Sequence, residues 1–316
     1  MNDKNNSKEE NKLFKDLKTK IYIIFHDEEK AKSLVKKDIY YPLYVGCHNK
    51  QLNPNLKNTP NICCDNTNNN ISEKNPDFCE LTGLYWMWKN SKADILGLCH
   101  YRRYFTKSTF GSYLDKEDIE QTLSNHDIIL PKSFETYFGS LYKDFKYHHD
   151  IKYLNMTKNI IQDLYPNYAN NFDKVMNKKK GYYYNMFIMK KNLVDDYCDW
   201  LFTILFELEN RLNNNQNGNT ISNTNSNSDI DSNTSFNGNT ISNINSNSDI
   251  DSNTKNNDND SRIYGFISER LFNLWIYQNN LKIKETNVKI IENWFKTKLF
   301  IKKIGRFLYF KLYKRC

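Results

Sequence analysis

Residues Ile95 to Cys99 read ILGLC, a short apolar run closed on one side by Asp94 and on the other by His100-Tyr101-Arg102-Arg103. A run this brief, bounded by polar residues, predicts a buried strand. Ahead of it Leu81, Leu84, Tyr85 and Trp88 recur at i, i+3, i+4 and i+7 and predict an amphipathic helix. Asn75-Pro76-Asp77 opens that helix with a good N-cap and a proline at the first helical position. A helix feeding a buried strand is the grammar of an α/β sheet, and ligands of such sheets gather at the carboxyl ends of the strands. His100, Tyr101, Arg102 and Arg103 fall there. Arginine suits phosphate because its planar fork donates two parallel hydrogen bonds and stays charged. The competing reading makes Arg102 and Arg103 salt-bridge partners on a sheet edge. The Asn-rich loop before the helix, with Asn70, Ser72, Lys74 and Asn75, can aim backbone N–H groups and one cation at an anion. Asp77 and Glu80 weigh against that idea, because they already complement the helix dipole.

The same residues carry a family resemblance. The string D-x(4)-N-I-S-x-K-N-x(3)-C-E-L-T-x(2)-Y-W-x-W-K-N at Asp65–Asn90, followed by G-L-C-H-Y-R-R-Y-F at Gly97–Phe105, resembles the bacterial family catalogued as domain of unknown function 4422. IYIIFHDE at Ile21–Glu28, DIILPK at Asp127–Lys132, YNMFIMKK at Tyr184–Lys191 and RIYGFISERLFNLWI at Arg262–Ile276 resemble it in the same order. The resemblance covers about residues 20–292 apart from one insertion. It implies a glycosyltransferase of capsular or exopolysaccharide biosynthesis, with galactofuranosyltransferases among the relatives. The implied fold is a mixed, mostly parallel α/β sheet with flanking helices, like the GT-A nucleotide-diphospho-sugar transferases. The implied partners are a UDP-sugar donor and a growing surface glycan, lipid-linked acceptors included. The resemblance brings His26 toward the nucleotide, Asp65 toward ribose or uracil, and Asn185 toward the transferred sugar. Strands are expected near Ile21–Phe25, Tyr44–Gly46, Ile95–Cys99, Asp127–Leu130 and Met186–Met189.

Glycosyl transfer requires that the leaving diphosphate be stabilised, the role assigned to Arg102 and Arg103. An inverting enzyme also needs a group that takes the acceptor's hydroxyl proton. Glu269, in a loop expected to enter a helix at Leu271–Ile276, is the first candidate, by analogy with related folds. Its alternative is a carboxylate satisfied by the helix dipole or by Arg270. Asp150 is the second candidate, and His149 beside it is a candidate for acceptor binding. The sequence His148-His149-Asp150 reads equally as a solvated turn. Many transferases of this fold hold a metal through Asp-x-Asp. Here that pattern occurs at Asp229–Asp231, Asp249–Asp251 and Asp258–Asp260, inside a tract rich in Asp by composition. No metal ligand is therefore assigned, and guanidinium charge is expected to stand in for a cation. Dependence on manganese or magnesium stays open.

Residues 213–260 are dominated by Asn, Ser, Thr and Asp, and Asn217–Thr234 recurs at Asn237–Thr254 with a single difference, Thr224 against Ile244. Such a segment buries too little apolar surface to fold alone and is expected to be a disordered insertion. Residues 1–19 are polar, with no apolar core of a signal peptide. Residues 293–316 carry eight basic and no acidic side chains, which accounts for the whole formal net charge of +8. Ile301, Ile304, Leu308 and Leu312 give that tail one apolar stripe, so it reads as a basic amphipathic helix for an anionic membrane surface. A tail packed on the body is the alternative. Nucleic acid could use the same charge, but no base-reading motif accompanies it. The mean hydropathy of −0.80 and the lack of any run of 18 apolar residues exclude a spanning helix. Seven scattered cysteines without a C-x-x-C pair indicate neither a disulfide framework nor a zinc site. The expected setting is cytoplasmic, peripheral at the inner face of the membrane. A rival reading is a non-catalytic carbohydrate- or nucleotide-binding module derived from a transferase.

Overall fold

The computed structural model describes residues 17–50, 54–57, 59–224 and 262–291. The strands are β1 (Thr19–Phe25), β2 (Tyr40–Tyr44), β3 (Cys63–Cys64), β4 (Ile95–His100), β5 (Arg103–Thr106), β6 (Ile128–Pro131), β7 (Phe134–Glu135), β8 (Lys180–Gly181), β9 (Phe187–Lys190) and β10 (Ile283–Ile290). The α-helices are α1 (Pro54–Lys57), α2 (Asn75–Phe78), α3 (Leu81–Asn90), α4 (Lys116–Asn125), α5 (Leu141–His148), α6 (Ile151–Leu164), α7 (Pro166–Met176), α8 (Lys191–Thr224) and α9 (Ile263–Gln278).

The main sheet runs β3-β2-β1-β4-β5-β10-β6-β9, and β9 returns to pair with β4 as well. The first four strands are parallel. Beyond β4 the pairings are antiparallel except β6 with β10. The expectation of a mostly parallel sheet thus holds for one half, and the sheet as a whole is mixed. The other half departs because β5 turns straight back from β4 across Tyr101-Arg102, with His100 opposite Arg103. Tight hairpins make antiparallel neighbours, whereas parallel neighbours need a crossover.

Strand β1 alternates between two cores. Tyr22 and Ile24 face the layer holding α3 and α6 to α9. Ile21, Ile23 and Phe25 face the layer holding α4. Both faces are covered, which is why the central strands read as continuous apolar runs. Gly97 sits where β4 is flanked on both sides, and a Cβ there would lie 3.0 Å from Ile188 Cγ1 and 3.1 Å from Ile21 Cγ1. Any larger side chain would wedge β4 away from β1 and β9.

Four local expectations change. The strand expected at Tyr44–Gly46 is β2, which ends at Tyr44, and Gly46 lies in the turn beyond it at a φ of 71°. The helix expected from Asn75 is broken at Cys79, whose φ of 51° ends α2 and lets α3 start afresh at Leu81. Asn75 does not cap it. Its amide donates instead to Cys79 O (2.8 Å) and Thr82 Oγ1 (3.0 Å). Helix α9 begins at Ile263 rather than Leu271, so Glu269 lies about two turns inside a helix and not in a loop. Helix α8 continues to Thr224, past the expected boundary of the insertion at residue 213. The remainder of the repeat tract from 225, with all three Asp-x-Asp patterns, lies outside the described residues. So do residues 1–16 and residues 292–316, which include the whole basic tail 293–316. No helix among the described residues is long and apolar enough to cross a membrane.

Candidate functional site

The carboxyl ends of the parallel strands meet at one edge, and the candidate residues divide there into two groups. The first group builds the edge without facing a ligand. Asp65 follows β3 and is fully buried. Its Oδ1 accepts from Cys47 N (3.0 Å) and Ser72 Oγ (2.6 Å), and its Oδ2 from Gly46 N (2.9 Å) and Thr82 Oγ1 (2.6 Å). The assignment of Asp65 to ribose or uracil is therefore corrected: both oxygens are occupied in fastening the turn after β2 to α3. Ser72 is spent on the same clamp and also accepts from His48 N (3.1 Å). Asn70 bonds within its own loop, to Ser72 N and Asn68 O. Lys74 pairs with Glu209 of α8 at 2.7 Å. The anion cradle expected from Asn70, Ser72, Lys74 and Asn75 is thus an internally satisfied loop. Asp65→Ala should strand several buried donors, each hydrogen bond to a charged group contributing about 1.5–3 kcal/mol. A loss of about 3 kcal/mol or more in urea unfolding is expected.

Asp150 belongs to the structural group too. It is the N-cap of α6, accepting from Lys152 N (2.9 Å) and pairing with Lys152 Nζ (3.1 Å). These bonds hold its carboxyl below the usual range, which suits a cap and not a base.

The second group converges. His26 leaves β1 exposed, with its ring 5.9 Å from that of Tyr101. Partial burial lowers its pKa, and the positive charges of Arg262, Arg102 and Lys50 lower it further. Arg102 occupies the β4–β5 turn. Arg103 lies with its guanidinium carbon 4.1 Å from the centroid of Tyr184, and its buried Nε has no partner. Burial followed by the charge of Arg102 pulls the Arg103 pKa down. Two adjacent guanidiniums at this strand end form an electropositive surface that favours an anion.

Opposite this cluster runs the segment Tyr182–Asn185, gripped by α9. Asn273 bonds both sides of the Tyr182 backbone, donating to its O and accepting from its N, each at 2.8 Å. Glu269 Oε1 accepts from Tyr184 N (2.8 Å), and His100 Nε2 lies 2.6 Å from Tyr184 O. Asn185 donates to Glu80 Oε1 (2.9 Å) and Gly265 O (3.3 Å), while its buried Oδ1 has no partner. Tyr184 and Asn185 both sit at positive φ, 75° and 51°. Such left-handed backbone at non-glycine residues costs about 1–3 kcal/mol each and persists only where the surroundings enforce it.

Glu269 is the chemical focus. Its side chain keeps 15% exposure, and Arg270 Nη1 stands 3.4 Å from Oε2. Arg270 is itself locked by Asp144 at 2.7 Å. Burial raises the Glu269 pKa to about 7, and the negative charge of Glu80 adds to the rise. Arg270, the Tyr184 N–H and Arg103 oppose it without cancelling it. Burial likewise lowers the pKa of His100, favouring its neutral form, while the charge of Glu80 and the bond to Tyr184 O oppose the shift. His149 is half-buried against Phe266 (ring centroids 4.1 Å), and burial pushes its pKa down to about 4. Phe266 itself lies about one helical turn from Glu269 on α9.

Sequence reasoning missed Glu80, Arg262 and Tyr184. Glu80 read only as a complement to a helix dipole, because nothing local shows that α2 breaks at Cys79. Arg262 bonds Cys79 Sγ through Nε at 3.1 Å, tying the start of α9 to that break. Among the described residues no group of three His, Cys, Asp or Glu side chains is placed to hold a metal ion. The donor set at the exit of β4 is guanidinium and imidazole, and it does not fit one.

No protein of curated function matches the chain. Among solved structures, the fold is similar to the apo WbbM bifunctional glycosyltransferase, with a TM-score of 0.63 and 28% identity over 87% of this chain and 46% of that one. The chain therefore spans about half the length of that protein. A family profile matches residues 20–224, and the chain belongs to the family described as a domain of unknown function, DUF4422.

Proposed function

We propose that this protein transfers a sugar from a nucleotide-diphosphate donor to a saccharide hydroxyl. The observation that carries this reading is a largely buried carboxylate, Glu269, poised near neutrality beside a cluster of arginines at the carboxyl edge of a nucleotide-binding type of sheet. Likeness to a bifunctional glycosyltransferase supports it. The donor is read as a UDP-sugar, with galactofuranose as the sugar to test first, and the acceptor as a surface polysaccharide or lipid-linked glycan. Attachment of the basic tail to an anionic membrane face belongs to the same proposal, as does a cytoplasmic site of action.

In this mechanism Arg102, Arg103 and Arg262 face the diphosphate and balance the charge that grows on it as the anomeric bond breaks. Glu269 accepts the proton of the attacking hydroxyl, giving inversion at the anomeric carbon. Glu80, turned toward Asn185, and the free Asn185 Oδ1 frame the space for the transferred sugar. Tyr184 links the parts, because its backbone joins Glu269 to His100 and its ring stacks on Arg103.

The test is release of UDP from a panel of UDP-sugars, UDP-galactofuranose included, with saccharide acceptors present. Turnover that persists in excess chelator is expected. Its abolition by chelator, with rescue by manganese, would sink the metal-free version. The pH profile follows from Glu269: the ionised form is the base, so kcat/KM should rise through about pH 7 and level off above it. A profile flat from pH 5.5 to 8.5 would remove Glu269 from the proton transfer.

A further inference from the structure

A concavity of about 510 Å³ is lined by Ser133, Lys178, Lys180, Tyr182, Asn273 and Tyr277 among others. It shares helix α9 with the candidate site, through Asn273. Glu269, Asn273 and Tyr277 follow one another at i, i+4 and i+8 on a single helix face. At about 1.5 Å per residue, Tyr277 lies roughly 12 Å along the axis from the carboxylate. Asn273 serves both places: its amide clamps Tyr182, whose ring forms a wall of the groove.

The lining has two properties that select an occupant. Two tyrosine rings stand among amide and hydroxyl groups, which suits a ligand with apolar faces and many hydroxyls. The groove also carries unneutralised positive charge. Lys178 Nζ sits 3.9 Å over the Tyr277 ring, and neither Lys178 nor Lys180 forms an ion pair among the described residues. Glu285 bonds the groove's Tyr182 and Ser133 through its Oε1. It accepts from Tyr182 OH (2.9 Å), Ser133 N (3.1 Å) and Ser133 Oγ (2.7 Å). Burial disfavours the charged form of Lys178, and the neighbouring Lys174 adds to that.

We infer that this groove holds the distal sugars of an acidic saccharide acceptor, with Tyr277 and Tyr182 as stacking surfaces and Lys178 and Lys180 as partners of its carboxylate or phosphate groups. The inference rests on the transferase reading, since the reactive hydroxyl of the same chain would then lie toward Glu269. The reach of about 12 Å is that of two to three sugar units.

Purified full-length protein would be applied to immobilised oligosaccharides of equal length: neutral, uronate-bearing and phosphate-bearing. Acidic members should bind at least about tenfold more tightly than neutral ones, and the two acidic arms tell which anion is preferred. The double substitution Lys178→Glu/Lys180→Glu should erase the preference, and Tyr277→Ala should weaken all members. Equal binding of neutral and acidic saccharides, or an unchanged preference in the double variant, would overturn the inference. A UDP-induced rise in melting temperature, followed in the same preparations, separates the two readings. If it is absent from the wild type while acidic saccharides still bind, the donor assignment fails and the groove stands.

Discussion

Glu269→Gln is expected to lower kcat by about 10²- to 10⁴-fold, the range for removing a positioned general base, while UDP binding is retained. Gln preserves the shape, and its Oε1 can still accept from Tyr184 N, so the strained Tyr184–Asn185 segment should hold. The substitution should also change stability in a pH-dependent way. The folded state raises the Glu269 pKa from 4.5 to about 7, so it binds that proton more tightly than the unfolded chain does. The favourable contribution is complete below about pH 4.5 and is lost as pH rises through about 7. At pH 8 the wild type therefore carries a buried carboxylate that Arg270, Arg103 and the Tyr184 N–H compensate only in part, and Gln removes it. The variant should melt higher than wild type at pH 8 and show no such advantage at pH 4. Full turnover in Glu269→Gln would leave the protein without its base. Inactivity accompanied by a lower melting temperature at pH 8 would point to a structural role.

The double substitution Arg102→Ala/Arg103→Ala should reduce kcat/KM by about 10²- to 10³-fold or more, since removal of one donor to a developing oxyanion costs about that much. The loss should fall on donor and transition state together, because the diphosphate is charged in both. Arg103→Lys tests the geometry separately. Lysine keeps the charge but loses the planar fork and the stack on Tyr184, so a large part of the loss should remain. If Arg103→Lys matches wild type, only charge matters at this position. If the double variant retains full activity, the β4 exit is a structural sheet edge and not a diphosphate site.

The legible parts of this molecule were those written in local periodicity. Ile21–Phe25 and Ile95–Cys99 are strands because both faces of the sheet are covered there, and the sequence shows it as unbroken apolar runs. The β4 exit was legible for the same reason, since a buried strand that ends in His-Tyr-Arg-Arg can place those side chains only at its edge. Strand β10 was not legible. Its alternation is diluted by Lys284, Glu285 and Lys289, and it is held by β5 and β6, far away in sequence. The parallel count was overestimated because nothing in Tyr101-Arg102 announces a hairpin. Asp65 misled because a buried carboxylate bonded by backbone and hydroxyls looks, in sequence, like a ligand contact. Glu80 was passed over because its exposure to the site depends on the φ of Cys79, a property of tertiary packing. Glu269 was chosen on analogy, and its raised pKa, which comes from burial within a helix, was invisible beforehand.

The account stands most directly on binding of a nucleotide diphosphate by arginine without a metal. The decisive measurement is the melting temperature of the full chain with UDP, in excess chelator and again with manganese. A ligand present at 100 times its dissociation constant adds about 2.7 kcal/mol to stability. The account predicts a clear rise with UDP in chelator, undiminished when manganese is absent and lost in Arg102→Ala/Arg103→Ala. No rise with UDP under either condition would contradict it.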